Sequence, residues 1–90
     1  MELKSIMTDD WETCFVCGRQ AQQIHHVMNK ADRKKSEKYG LLVPICAECH
    51  RKVHDTDEAL NKELKKNAQA DFMLKYSFAL WMKEFGKNYI

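Results

Sequence analysis

The chain has 90 residues, 44% of them hydrophobic, and a formal net charge of +2. A fold of this length buries only about 60% of the surface its unfolded chain exposes, which argues against a second domain and for a staple of some kind. No apolar run approaches the roughly 18 residues of a membrane span and no signal-peptide core follows Met1, so a cytoplasmic protein without membrane association is expected.

Residues 1–12 form a lead-in with a turn at "TDD". "CFVCG" then reads as a knuckle: Cys14 and Cys17 flank an apolar filler, and Gly18 permits the tight turn that aims both sulfurs at one point. "QAQQIHHV" is strand-like, with Ile24 and Val27 on either side of His25 and His26. The segment "KADRKKSEK", Lys30 to Lys38, holds five basic and two acidic residues, a local excess of three, and is expected to be a loop with at most one short helical turn. Lys30, Arg33, Lys34 and Lys35 are candidates to contact phosphates; on charge alone a solvated loop fits as well.

"GLLVPIC" predicts a second strand running into a second knuckle, Cys46-x2-Cys49. From Ala47 the pattern turns helical, with His50 and His54 four residues apart on one face. A boundary is expected at 55–57, where "DTDE" supplies an N-cap and acidic residues for the first turn of the next helix. Leu60, Leu64, Ala68 and Phe72 recur every four residues, and Phe78, Trp81, Met82 and Phe85 continue an apolar face. These stripes predict two helices over 57–90, bent near Lys75–Ser77, ending at Gly86 and packing on the smaller front half.

In a reducing compartment four cysteines serve better as metal ligands than as disulfides. Cys14, Cys17, Cys46 and Cys49 offer four thiolates, the full tetrahedral complement of a structural zinc ion. The four histidines are then left over, in two pairs: His25–His26 and His50–His54. Three imidazoles around a second ion would leave positions open, as in a catalytic rather than a structural site. Two simpler arrangements compete: histidines that merely pad a zinc knuckle, and one zinc held by a mixture such as Cys14, Cys17, Cys49 and His54.

The run "CFVCG … IHHV … LLVPICAECHRKVH" resembles the HNH endonucleases of the ββα-metal class, in the variant with a four-cysteine zinc site. The whole chain also resembles small HNH-type proteins of bacteriophages, which carry stretches much like "RKKSEKYGL" and "FGKNY"; a bacterial host cell would then be its setting. The resemblance implies an α+β fold: a ββα-metal core over 14–55, stapled by the zinc, within one domain of residues 1–90 that ends in the helical extension. It implies that His25, His50 and His54 hold a catalytic divalent metal (Zn2+, Mn2+, Ni2+ or Mg2+) and that His26 is the general base. It further implies DNA as partner and hydrolysis to 5′-phosphate and 3′-hydroxyl ends, while a protein partner or a homodimer stays open. One position departs from the family: where an asparagine usually pins the loop that orients the catalytic histidine, this chain has Leu41, leaving Asn29 or a backbone contact to do so. Without catalysis, the chain would be a zinc module that binds DNA or a protein.

Overall fold

The computed structural model describes residues 4–28 and 30–90, the side chain of Lys30 excepted. Asn29 therefore lies outside the described residues. Two short strands, β1 (Gln23–His26) and β2 (Leu42–Ile45), pair antiparallel, with His25 opposite Val43 and His26 opposite Leu42. Helix α2 (Ala47–Arg51) follows β2 directly, completing the ββα order expected of 14–55.

The first knuckle folds as the glycine placement anticipates. Gly18 takes φ 80°, its N–H donates to the Cys14 carbonyl (3.1 Å), and the Cys14 N–H donates to the Arg19 carbonyl (2.6 Å). Pro44 is tolerated within β2 because that strand pairs only with β1 among the described residues. Its carbonyl instead accepts from the Phe15 N–H at 2.8 Å, fastening the first knuckle to the sheet.

Between the strands the basic segment is more ordered than its sequence predicts. A 3-10 turn (Lys30–Asp32) leads into helix α1 (Arg33–Tyr39). Only Ser36 and Tyr39 of α1 are buried, too little apolar spacing to signal a helix. Its end is set by Gly40 in the left-handed conformation (φ 75°), where an added Cβ would meet the Ile6 nitrogen and Lys4 oxygen at 3.1 Å.

Beyond α2 the chain widens into one π-helical turn (Lys52–Thr56) before helix α3 (Glu58–Lys75). Asp57 caps α3 through its side chain, which accepts from the Leu60 N–H at 2.9 Å. Helix α4 (Phe78–Phe85) is capped by Ser77 and stopped by Gly86, the stop being where the sequence suggests. Leu64, Ala68, Phe72 and Trp81 join Val27, Leu41, Val43, Ile45 and Val53 in one core. Burying a side chain the size of Phe72 contributes about 1.5–3 kcal/mol, so the extension is a large part of what holds the short sheet. Phe78 departs from the expected stripe: it starts α4 and is exposed.

Gln69, polar yet fully buried, is satisfied within this core. It donates to Asn88 Oδ1 (2.8 Å) and accepts from the Tyr89 N–H (2.7 Å), drawing the residues after α4 back across α3. No described helix is long and apolar enough to cross a membrane.

Candidate metal centre

Two ligand groups form, and they do not mix. Cys14, Cys17, Cys46 and Cys49 make one; His25, His50 and His54 make the other; within each group the ligand atoms lie within 4.8 Å of one another. A mixed site of Cys14, Cys17, Cys49 and His54 is at odds with this grouping, since Cys46 stands among the thiols and His54 among the imidazoles.

The thiols come from the two knuckles, with Cys46 just before α2 and Cys49 within it. Zn–S bonds of about 2.3 Å in a tetrahedron place sulfurs about 3.8 Å apart. Cys17 and Cys46 Sγ are 3.6 Å apart, so the donor set fits a zinc ion. Burial works to push the Cys14 thiol up, but hydrogen bonds to it, led by the backbone of Cys17, Cys46 and Val16, outweigh that and bring it down to about 6. Cys49 goes the other way, pushed up by burial and by the surrounding sulfurs. Four close thiols cannot all shed their protons without a cation among them.

The imidazoles converge from β1 and from the helical run after β2. His25 points from β1 toward α2, its ring centroid 5.1 Å from that of His50 and 5.3 Å from that of His54. The Nε2 atoms of His50 and His54 are 3.1 Å apart. Two ligands at about 2.0–2.1 Å on a tetrahedral ion would stand about 3.3 Å apart, close to this spacing. His25 is 1% exposed, and its Nε2 is buried without a hydrogen-bond partner among the described residues. An orphaned ring nitrogen costs free energy unless something ligates it, so the donor set fits a divalent cation.

Electrostatics favours the neutral form of two of these imidazoles. Burial, then the charges of His50, His54, His26 and Lys65, push His25 down to about 3. His50 is lowered as well, by burial first and then by His54 and His26. Both are neutral near pH 7, the form that binds a metal.

Two further residues hold histidines here and were not singled out from the sequence. Gln23, two residues before His25 on β1, places Oε1 against His50 Nδ1. An amide oxygen only accepts, so Nδ1 carries the proton and Nε2 keeps its lone pair for the cluster. Period-two spacing along the strand was the available signal. Glu37 of α1 places Oε1 3.1 Å from His26 Nε2. His26 is thus outside the ligand group, held against α1, yet close enough for its charge to be felt at His25 and His50.

The basic residues divide. Arg33 and Lys34 are exposed on α1. Lys35 instead turns toward α4: its ammonium donates to the Glu84 carbonyl (2.5 Å) and lies 3.9 Å from Asp32 Oδ1. Leu41 is fully buried.

Residues 14–56 match the family model described as HNH endonuclease, the span that carries both ligand groups. Among curated proteins, a mitochondrial DNA mismatch repair protein mutS homolog from Sarcophyton glaucum is 33% identical over 48 residues, covering 48% of this chain and 5% of that protein. The chain thus spans about a twentieth of that relative's length. No solved structure matches the chain significantly.

Proposed function

We propose, from the premise that residues 14–56 are an HNH endonuclease domain, that this chain is a metal-dependent endonuclease hydrolysing phosphodiester bonds in DNA. The observation that carries the reading is a three-imidazole cluster standing apart from a complete set of four thiols. Four thiols saturate a structural zinc, whereas three imidazoles leave room at an ion for a phosphate oxygen.

In this reading His25, His50 and His54 hold the cation: Zn2+, Mn2+ or Ni2+ suit imidazole ligands, and Mg2+ serves if phosphate and water complete its shell. When bound, it supplies positive charge to the scissile phosphate and to the departing 3′-oxygen. Gln23 fixes the His50 tautomer and burial keeps His25 unprotonated, so the site presents nitrogen lone pairs at neutral pH. A neutral imidazole that stands outside the ligand set keeps a ring-nitrogen lone pair with which it can take a proton from water. His26 has that place: beside the cluster and not in it. Arg33 and Lys34, exposed on α1, would grip flanking phosphates; the side chain of Lys30 lies outside the described residues. Such contacts orient DNA without reading its sequence and weaken as salt rises. That a DNA mismatch repair protein contains a similar segment agrees with DNA as the polymer.

Supercoiled plasmid incubated with the purified protein and Mn2+, Ni2+ or Mg2+ tests this. Nicking by the wild type and its loss in His26→Ala are expected. Intact plasmid with every metal, or full activity in His26→Ala, would overturn it. The buried apolar Leu41 favours one alternative, a zinc module that binds DNA or a protein without cutting. It predicts one metal per chain instead of two.

A further inference from the structure

The last residue of β1, His26, is the general base of the proposed function, and a base is useful only if its ring is held. Leu41 offers no polar group for this, and its side chain is wholly in the core. Helix α1 offers two. The Ser36 hydroxyl, fully buried, accepts from the Met28 N–H at 3.0 Å and donates to the Met28 carbonyl. One side chain thus satisfies both polar groups of a residue two positions past His26. On the next residue of the same helix, the Glu37 carboxylate meets His26 Nε2 at 3.1 Å.

Helix α1 is itself braced at both ends of this pair. Lys35 donates to the Glu84 carbonyl, and the Leu41 N–H donates to the Ser36 carbonyl at 2.8 Å. The His26 side chain is 13% exposed and that of Glu37 42%, so the contact sits at the rim of the fold with the ring mostly enclosed.

We propose that Glu37 is the positioning residue for His26: its carboxylate orients the ring so that Nδ1 faces the attacking water, while Ser36 holds the backbone beneath. The chemistry follows from what each atom can do. A carboxylate accepts and does not donate, so the neutral ring carries its proton on Nε2 and its lone pair on Nδ1. When water attacks phosphorus, its O–H bond breaks and an N–H bond forms at Nδ1. The resulting imidazolium keeps its Nε2–H bond to Glu37, now between opposite charges. As the new P–O bond forms the P–O3′ bond breaks, the departing 3′-oxygen takes a proton from solvent, and the proton on Nδ1 is returned to solvent.

This inference rests on the nuclease reading, and two readouts separate them. The first is the Nε2–H proton of His26, observed by NMR in labelled protein: the bond to Glu37 slows its exchange with water. That resonance is expected in the wild type and in Glu37→Gln, which keeps an acceptor oxygen, and is expected to vanish in Glu37→Ala. The second is plasmid nicking. Glu37→Ala is expected to lower kcat by about 10–100-fold with KM nearly unchanged, and Glu37→Gln to recover most of the loss. An exposed glutamate can be replaced without unfolding, and unchanged thermal melting of both variants verifies that. A Glu37→Ala protein that keeps the protected proton, or that cuts at the wild-type rate, overturns the assignment. If the wild type cuts nothing, the nuclease reading falls, and the resonance alone still decides whether Glu37 holds the ring.

Discussion

The stability of the protein with its histidine cluster free of metal should fall on mild acidification, and His25 sets the size of the effect. Its imidazole is pushed from 6.5 to about 3 by burial and by its charged neighbours. A histidine lowered in the folded state binds its proton more weakly there than in the unfolded chain. Between about pH 3 and 6.5 the unfolded chain therefore takes up more protons, and stability is lost as pH falls through that window. Each unit is about 1.4 kcal/mol, so moving from about pH 8 to pH 5 costs about 2 kcal/mol from His25 alone. His50, also lowered, adds in the same direction. Urea unfolding followed by tryptophan fluorescence, with one equivalent of zinc and no other divalent ion, measures the loss. Acid also weakens thiolate ligation, so the comparison is with His25→Asn, which shares that loss and lacks the titrating ring. The wild-type curve should be steeper by about 2 kcal/mol over this range. Parallel curves would refute the claim that a buried neutral His25 awaits a metal.

Three other outcomes follow from the same geometry. Gln23→Ala should weaken metal binding at the histidine cluster by about 10–100-fold, measured by Ni2+ or Mn2+ titration, while leaving the thiol-bound zinc in place. Cys49→Ser should cost the thiol-bound zinc by elemental analysis and abolish cooperative melting, because that ion is part of the folding free energy. Leu41→Asn should not raise nicking activity; it should lower stability by about 3 kcal/mol or more in urea unfolding, since Leu41 is fully buried and a polar amide there leaves a void and unpaired groups.

Local spacing carried much of this architecture. The two Cys-x2-Cys knuckles, Gly18, the Asp57 cap and the stop at Gly86 are short-range signals, and each names its own structure. The four-residue spacing of His50 and His54 suggested a shared ligand point, although the turn that carries His54 is π-helical, which no breaker or cap announces. Helix α1 was hidden because it buries Ser36 and Tyr39 rather than an apolar stripe. Lys35 counted as one more surface charge until a carbonyl 49 positions away claimed it. Glu37 and Gln23 were equally opaque: their partners stand 11 and 27 positions off, and pairings at such distances belong to the fold rather than to any window of sequence.

The tether from Lys35 to Glu84 also sets a schedule for synthesis. A ribosome adds about 5–20 residues each second, so about 2–10 s separate the emergence of α1 from that of the carbonyl that anchors it. During that interval both ligand groups are already present in the nascent chain, since His54 and Cys49 precede Glu84. The metals can be captured early, but the helix beside His26 gains its brace late.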